Sequence, residues 1–110
     1  MSHDICGFNK SGEEICHIRF TMGNPNALIV YRLFDAYDFY AGVSGNGQSK
    51  EVSLPEAEKA LTALNQLHRD NEPYDLNDEY LTWLRSELDN FVISCFDAAQ
   101  KEGSVRVSFA

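Results

Sequence analysis

The apolar residues near the carboxyl end of the chain constrain its fold more than any other feature. From Leu81 to Ala99 they recur at the three- and four-residue intervals of one helix face, and Gly103 follows as a helix-ending signal. The pattern predicts a helix over 77–101, about 37 Å long at 1.5 Å per residue. A helix of that length with a single apolar stripe needs another layer of structure to cover the stripe.

A capping box indicates a second helix. Ser53 and Glu56 stand three residues apart, so the hydroxyl and the carboxylate can satisfy backbone N–H groups at a helix start. The apolar stripe behind them consists of Ala57, Ala60, Leu61, Leu64 and Leu67. We therefore predict a helix over 54–68.

Both ends of the chain show the two-residue alternation that is typical of strands. Residues 4–8 and 14–20 flank the turn 9–12, which carries Asn early and Gly late, and together they predict a β-hairpin. Near the carboxyl end, apolar residues at every second position of 105–109 alternate with polar ones, which indicates a strand with one apolar face.

The middle of the chain completes the predicted fold. Asn24 before Pro25 resembles a helix cap with proline in the first turn, and the following apolar spacing predicts a helix over 25–37. Residues 41–49 hold three of the seven glycines and are predicted to form a loop. The element order indicates one α+β domain over 1–110. It has a small antiparallel sheet, made of the N-terminal hairpin and the C-terminal strand, packed against two or three helices.

The charge of the chain limits its partners. Acids outnumber bases 17 to 9, for a formal net charge of −8, whereas nucleic acid phosphates and anionic membranes attract excess Lys and Arg. Residues 51–102 carry 12 of the acids and 4 of the bases, so the charge belongs to two helices and their connection. The candidate surface comprises Glu56, Glu58, Asp70, Glu72, Asp75, Asp78 and Glu79. It either binds a basic protein, in the extreme as a mimic of the DNA backbone, or only keeps the chain dissolved.

A second candidate surface is aromatic. Several rings precede the glycines and are interleaved with acids, so they cannot all face one core. The candidate patch comprises Tyr37, Phe39, Tyr40, Gly42, Gly45 and Gly47. Exposed aromatic side chains beside an adaptable loop are typical of an interface, and the alternative is that these rings cover the sheet edge.

The same glycines suggest an alternative function. The run 42–49 lies one residue away from the phosphate-loop pattern, with Gln48 where the lysine belongs. The strand before and the helix directly after, which the nucleotide-binding motif needs, are not predicted here. Loop 42–50 therefore supports only the alternative of a small-ligand or anion site, or of an enzyme that uses this loop, against a plain surface loop.

Cysteines and histidines raise the question of a metal or a nucleophile. His3, Cys6, Cys16 and His17 are possible zinc ligands, but metal-site spacings are missing and adjacent strand residues point to opposite faces. We expect no metal and no cofactor, although a Cys6–Cys16 bridge stays possible on a hairpin. Cys95 falls on the apolar stripe and is predicted to be an inert core thiol.

The chain carries no recognisable sign of catalysis, so the prediction is a protein that is not an enzyme. No nucleophile signature surrounds any of the three histidines. An odd count of three cysteines, with no apolar run of membrane-spanning length and no signal-peptide pattern, favours a cytoplasmic location.

Three segments, 4–15, 42–47 and 103–109, resemble small bacterial and phage-associated proteins. The resemblance implies a compact bacterial or prophage domain and assigns no catalytic residue. The predicted function is an acidic protein-interaction module, of the phage or prophage modulator type, that binds a basic partner protein. A homodimer through the exposed face of the long helix is a further possibility.

Overall fold

The computed structural model describes residues 2–110 and shows the predicted α+β fold. The strands are β1 (Ser2–Phe8), β2 (Glu14–Thr21), β3 (Ser49–Ser53) and β4 (Ser104–Phe109). The helices are α1 (Ala27–Leu33), α2 (Leu54–Asp70) and α3 (Glu79–Glu102), with a 3₁₀ turn at Tyr37–Phe39. The described strands form one antiparallel sheet in the order β2-β1-β4-β3. The predicted hairpin and C-terminal strand are both confirmed as parts of it.

The hairpin turn follows from its polar residues. The Asn9 side-chain oxygen accepts a hydrogen bond from the Glu13 backbone N–H at 2.9 Å, and the Asn9 carbonyl accepts one from the Gly12 N–H at 3.0 Å. Gly12 takes a φ of 86°, in the left-handed region that glycine adopts without steric cost. The turn thus brings β1 and β2 together as an antiparallel pair.

The strand β3 is absent from the sequence prediction. The predicted loop over 41–49 is wrong at its end, because Ser49 begins a strand that pairs with β4. This strand has five residues and one buried apolar side chain, Val52, so its alternation is too short to be recognised. The sheet consequently has one more strand than predicted, and β3 forms its edge beyond β4.

The first helix is much shorter than the predicted range 25–37. The Asn24 side chain accepts from the Asn26 backbone N–H at 3.0 Å, so Asn24 closes a local turn and Asn26 stands at the helix start instead. The helix ends after Leu33, because Asp35 adopts a φ of 51°, outside the helical region. The apolar spacing beyond this point belongs to a 3₁₀ turn.

The two longer helices begin and end close to their predicted limits. The capping box is confirmed: the Ser53 hydroxyl accepts from the Glu56 N–H, and the Glu56 carboxylate accepts from the Ser53 N–H at 3.1 Å. α3 ends at Gly103, which has a φ of 90° and donates its N–H to the Ala99 carbonyl at 2.7 Å. The sequence placed these helices correctly because their boundaries carry specific capping residues.

The core lies between one face of the sheet and the helices. The strands contribute Ile5, Ile18, Phe20, Val52, Val105, Val107 and Phe109, and the two long helices contribute Ala57, Ala60, Leu64, Leu84, Leu88, Phe91, Val92 and Cys95. The opposite sheet face exposes polar side chains such as His17, Arg19 and Arg106. β2 and β3 are the two edges of the sheet, and α3 contacts β2 along one of them.

Candidate functional site

The connection between α2 and α3, residues 71–78 and called here the acidic loop, is tied to α3 by its own polar groups. The Asp78 carboxylate caps α3 by accepting from the Leu81 N–H at 3.0 Å. Glu72 and Arg85 form an ion pair at 2.7 Å, and the Arg85 guanidinium lies 3.9 Å from the centre of the Tyr74 ring. These contacts position the loop against the first turns of α3.

A shallow, open groove lies beside the acidic loop, over the first turns of α3. It has a volume of about 440 Å³ and is lined by Leu76, Glu79, Thr82, Trp83, Ser86 and Glu87, which we call the acidic–aromatic groove. Leu76 is 75% exposed and Trp83 is 38% exposed, although both are large apolar side chains. Exposed apolar groups in one concave site are characteristic of contact surfaces.

The aromatic wall of the groove is held in place by its neighbours. The centre of the Trp83 ring lies 6.1 Å from that of the buried Phe20 ring, which it meets edge-on. It lies 5.5 Å from the centre of the Tyr80 ring, which is tilted against it. The Tyr80 hydroxyl accepts hydrogen bonds from the side-chain amides of Asn24 at 2.8 Å and Asn26 at 3.2 Å. A ring fixed in this way loses little conformational freedom when it contacts a ligand.

The acids of the groove differ from those of the loop in their bonding. Within residues 2–110, no Lys, Arg or His forms an ion pair with Glu79 or Glu87. By contrast, the Asp78 carboxylate accepts the hydrogen bond that caps α3, and the Asp75 carboxylate accepts one from the Asn77 N–H at 2.9 Å. The carboxylates of Glu79 and Glu87 therefore stay available to an external cation.

The structure divides the predicted acidic surface in two. Asp70, Glu72, Asp75, Asp78 and Glu79 gather around the end of α2, the acidic loop and the start of α3. Glu56 and Glu58 lie at the other end of α2, about 20 Å away at the helical rise per residue.

Glu56 has a structural role at its own end of the helix. The backbone hydrogen bond from Ser53, with further help from Lys50 at 3.2 Å, lowers the pKa of its carboxyl group.

The predicted aromatic–glycine patch is divided between half-buried rings that pack on the core and exposed positions. The Phe39 ring packs on Phe109 at 5.3 Å, and the Tyr40 ring packs on Tyr31 at 5.1 Å. Tyr37 stays 53% exposed, and Gly42 and Gly47 are exposed as well. The aromatic side chains at 39 and 40 thus cover the sheet rather than project from it.

Most of the backbone N–H groups of residues 41–48, called here the glycine loop, are hydrogen-bonded within the chain. The N–H groups of Gly45 and Gly47 donate to the carbonyls of Ala110 at 3.2 Å and Phe109 at 2.8 Å. Those of Ala41, Asn46 and Gln48 donate to other atoms of residues 39–46. A phosphate cradle needs free backbone N–H groups, and within residues 2–110 only those of Gly42, Val43 and Ser44 in this loop have no partner, so the alternative of an anion site in loop 42–50 is left with these three.

The hairpin histidines and cysteines separate onto two faces of the sheet. His17 pairs with Asp4 at 2.7 Å on the open face, and the Arg19 hydrogen bond to Asp4 is the main cause that lowers the pKa of this carboxyl to about 2. Burial raises the pKa of the nearby Cys6 thiol to about 12, so it stays protonated and is a poor nucleophile. No group of three or more metal-ligating side chains occurs among residues 2–110.

Two further groups lie inside the core. The Cys16 and Cys95 sulfurs are 3.7 Å apart as free thiols, and Cys95 is fully buried, as predicted. His3 is buried, hydrogen-bonded to the Tyr31 hydroxyl at 2.6 Å, and its Nδ1 atom has no partner in the described chain. Burial lowers the pKa of His3, so its ring is neutral at pH 7.

The sequence analysis missed the apolar part of the groove. Leu76, Tyr80 and Trp83 stand outside the apolar stripe of α3, and this position is the signal that could have identified them as exposed. Glu87 was not predicted as a site residue either, because the chain has so many acids that the sequence does not distinguish one from another.

Fold and groove together define an acidic α+β protein with an apolar, carboxylate-bearing groove at the start of its longest helix. Comparison with protein-family models, curated proteins and solved structures gave no match to the chain. The resemblance to bacterial and phage-associated proteins therefore stays a prediction. No helix within residues 2–110 has the length and apolar character to span a membrane.

Proposed function

We propose that this protein is an acidic protein-interaction module that binds a basic partner protein through the acidic–aromatic groove. The observation that carries the proposal is the groove itself, where exposed Trp83 stands between Glu79 and Glu87 and exposed Leu76 lies beside them. Neither carboxylate has an ionic partner within residues 2–110. Apolar side chains supply binding energy by burial, and the carboxylates select a cationic partner.

The charge of the whole chain supports a basic partner. A net charge of −8 attracts cationic proteins and repels nucleic acids and anionic membranes. Lys or Arg side chains could reach the carboxylates, while an Arg guanidinium could also stack on the indole of Trp83. A phage or prophage modulator and a cytoplasmic location are consistent with such a module.

The single tryptophan of the chain allows a direct test. Trp83 emission is followed while a tryptophan-free, lysine- and leucine-containing peptide is added at low salt, with a twin peptide that has Glu in place of Lys as the control. We expect binding of the lysine peptide alone, and an affinity loss of about tenfold or more between low and physiological salt.

Matched variants locate the site. Glu79→Gln combined with Glu87→Gln is expected to weaken lysine-peptide binding about tenfold, whereas Glu58→Gln, at the far end of α2, leaves it unchanged. Failure of the lysine peptide to bind at low salt, or equal binding to the double variant and Glu58→Gln, contradicts the proposal. Circular dichroism of each variant checks that the fold is intact.

A further inference from the structure

We propose that the basic partner docks as an amphipathic helix lying along α3, in the seam between α3 and the edge strand β2. This inference rests on the proposed function, because it names the form of the partner that the acidic–aromatic groove receives. The seam is defined by the two grooves at the two ends of α3 and by the β2 side chains beside them.

The seam extends beyond the acidic–aromatic groove. A second groove of about 370 Å³ lies towards the carboxyl end of α3 and is lined by Asn9, Ile15, Ser94, Asp97, Ala98, Lys101 and Glu102. β2 lies beside both ends: Ile15 lines the second groove, and the buried Phe20 packs against Trp83 without lining the first groove. From Glu79 to Lys101 the seam is about 33 Å long, which matches a helix of about 20 residues.

The spacing of the groove side chains indicates what the partner presents. Glu79, Trp83 and Glu87 follow one another at four-residue intervals, so they form one stripe with the indole between two carboxylates. The stripe covers two helical turns, about 12 Å. A partner helix that carries cations about two turns apart, with an apolar side chain between them, matches this stripe.

An extended partner fits less well. A strand could add to the free edge of β2 through backbone hydrogen bonds. The exposed apolar side chains Leu76 and Trp83 belong instead to the acidic loop and α3, so a strand at the β2 edge would not cover them as a helix along α3 does.

A second copy of this chain is also disfavoured. Two copies meeting through their seams would bring Glu79, Glu87 and Asp97 of one chain towards the same acids of the other. Lys101 is the basic residue that lines the seam, so each copy keeps an excess of negative charge there. Like charges at an interface oppose association, and a cationic helix removes that repulsion.

Three tryptophan-free peptides of about 20 residues and identical charge test the helical form. The first places Lys about two turns apart with Leu between them on one helix face, the second shuffles the same residues off that face, and the third replaces two central residues with Pro. Trp83 emission gives the affinity, and circular dichroism gives the helix content of the peptide on binding.

We expect the first peptide to bind about tenfold more tightly than the other two and to gain helix content on binding. Asp97→Asn should weaken the first peptide several-fold, while Glu58→Gln should not. Equal binding of all three peptides overturns the helical form but leaves the proposed function supported, whereas no binding of any peptide at low salt overturns both. Sedimentation measures whether the free chain dimerises. A dimer that Leu76→Ser abolishes would assign the seam to a second copy and overturn the inference.

Discussion

The glycine loop and the acidic loop are both irregular, polar segments, yet their relation to the rest of the protein is opposite. The glycine loop donates the N–H groups of Gly45 and Gly47 to the last two residues of the chain, and its neighbouring rings at Phe39 and Tyr40 pack on the core. The acidic loop is fixed at its ends by Glu72 and Asp78 and leaves Leu76 exposed beside Glu79, which has no ionic partner within residues 2–110.

The difference shows that irregular backbone does not by itself mark a binding site. Buried backbone N–H groups have to be satisfied, and a loop that satisfies them within the chain behaves as part of the fold. A loop whose backbone is fixed but whose side chains point outward offers those side chains at little entropic cost. Both loops expose an apolar side chain, Leu76 and Val43, but only Leu76 lines the acidic–aromatic groove, and the predictions below test the contrast between the two loops.

The largest expected effect is on the glycine loop. A Cβ at Gly45 would overlap the backbone of Phe109, so we expect Gly45→Ala to lower the free energy of unfolding by about 1–3 kcal/mol. Urea unfolding measures this loss, with the neighbouring substitution Ser44→Ala as the matched control. Equal stability of the two variants would show that the glycine loop is not packed on β4.

The buried His3, whose ring lies 6.3 Å from that of Tyr40 just before the glycine loop, gives the next effect. Burial lowers the pKa of His3 in the folded protein, so the unfolded chain takes up the proton first as the pH falls. Stability should therefore decrease on acidification through about pH 6.5, the pKa of an unperturbed histidine, by at most about 1.4 kcal/mol per pH unit.

Urea unfolding between pH 7.5 and pH 5, roughly spanning that unperturbed pKa, measures how stability depends on pH in the original chain and in the variant His3→Gln. The variant should lose most of the slope while keeping a hydrogen-bonding side chain near Tyr31. Asp4, whose pKa is lowered to about 2, loses its stabilising effect progressively below about pH 5 and so lies outside this window. An unchanged slope in His3→Gln would rule out His3 as its cause.

The acidic loop is expected to respond more weakly. Asp78→Ala removes the side chain that caps α3, so the free energy of unfolding should fall by about 1 kcal/mol. Asp78→Ser is the matched control, because serine also accepts a hydrogen bond at a helix start and should restore most of the loss. If thermal or urea unfolding shows that Asp78→Ser is no more stable than Asp78→Ala, the capping role of Asp78 is contradicted.

Sequence alone predicted the parts of this fold that carry local signals. The Ser53–Glu56 capping box and Gly103 mark the long helices because each acts within one helical turn. β3 was not predicted because a strand forms its hydrogen bonds with a partner strand, here β4, which comes about 50 residues later in the chain. Asn24 was misplaced as a cap because a turn and a helix start use the same side-chain hydrogen bond.

The candidate site could be predicted only in part for a related reason. The acids of the loop were visible in the composition, but the sequence did not show that Glu56 is held by its capping box while Glu79 has no ionic partner within residues 2–110. Nor did it separate Trp83 from the core aromatics, since its partial exposure depends on where α3 lies against β2.

The smallest stability effect and the sharpest functional contrast come from one exposed apolar side chain in each loop. Leu76 is 75% exposed in the acidic loop and Val43 is 51% exposed in the glycine loop, so Leu76→Ser and Val43→Ser should each change stability by no more than about 0.5 kcal/mol. Only Leu76→Ser should weaken lysine-peptide binding, by about five- to tenfold, because only Leu76 lines the groove. Titrations followed by Trp83 emission measure the peptide affinity of the two variants. An equal loss of affinity in both variants, or no loss in Leu76→Ser, would mean that the acidic loop is no more a contact surface than the glycine loop.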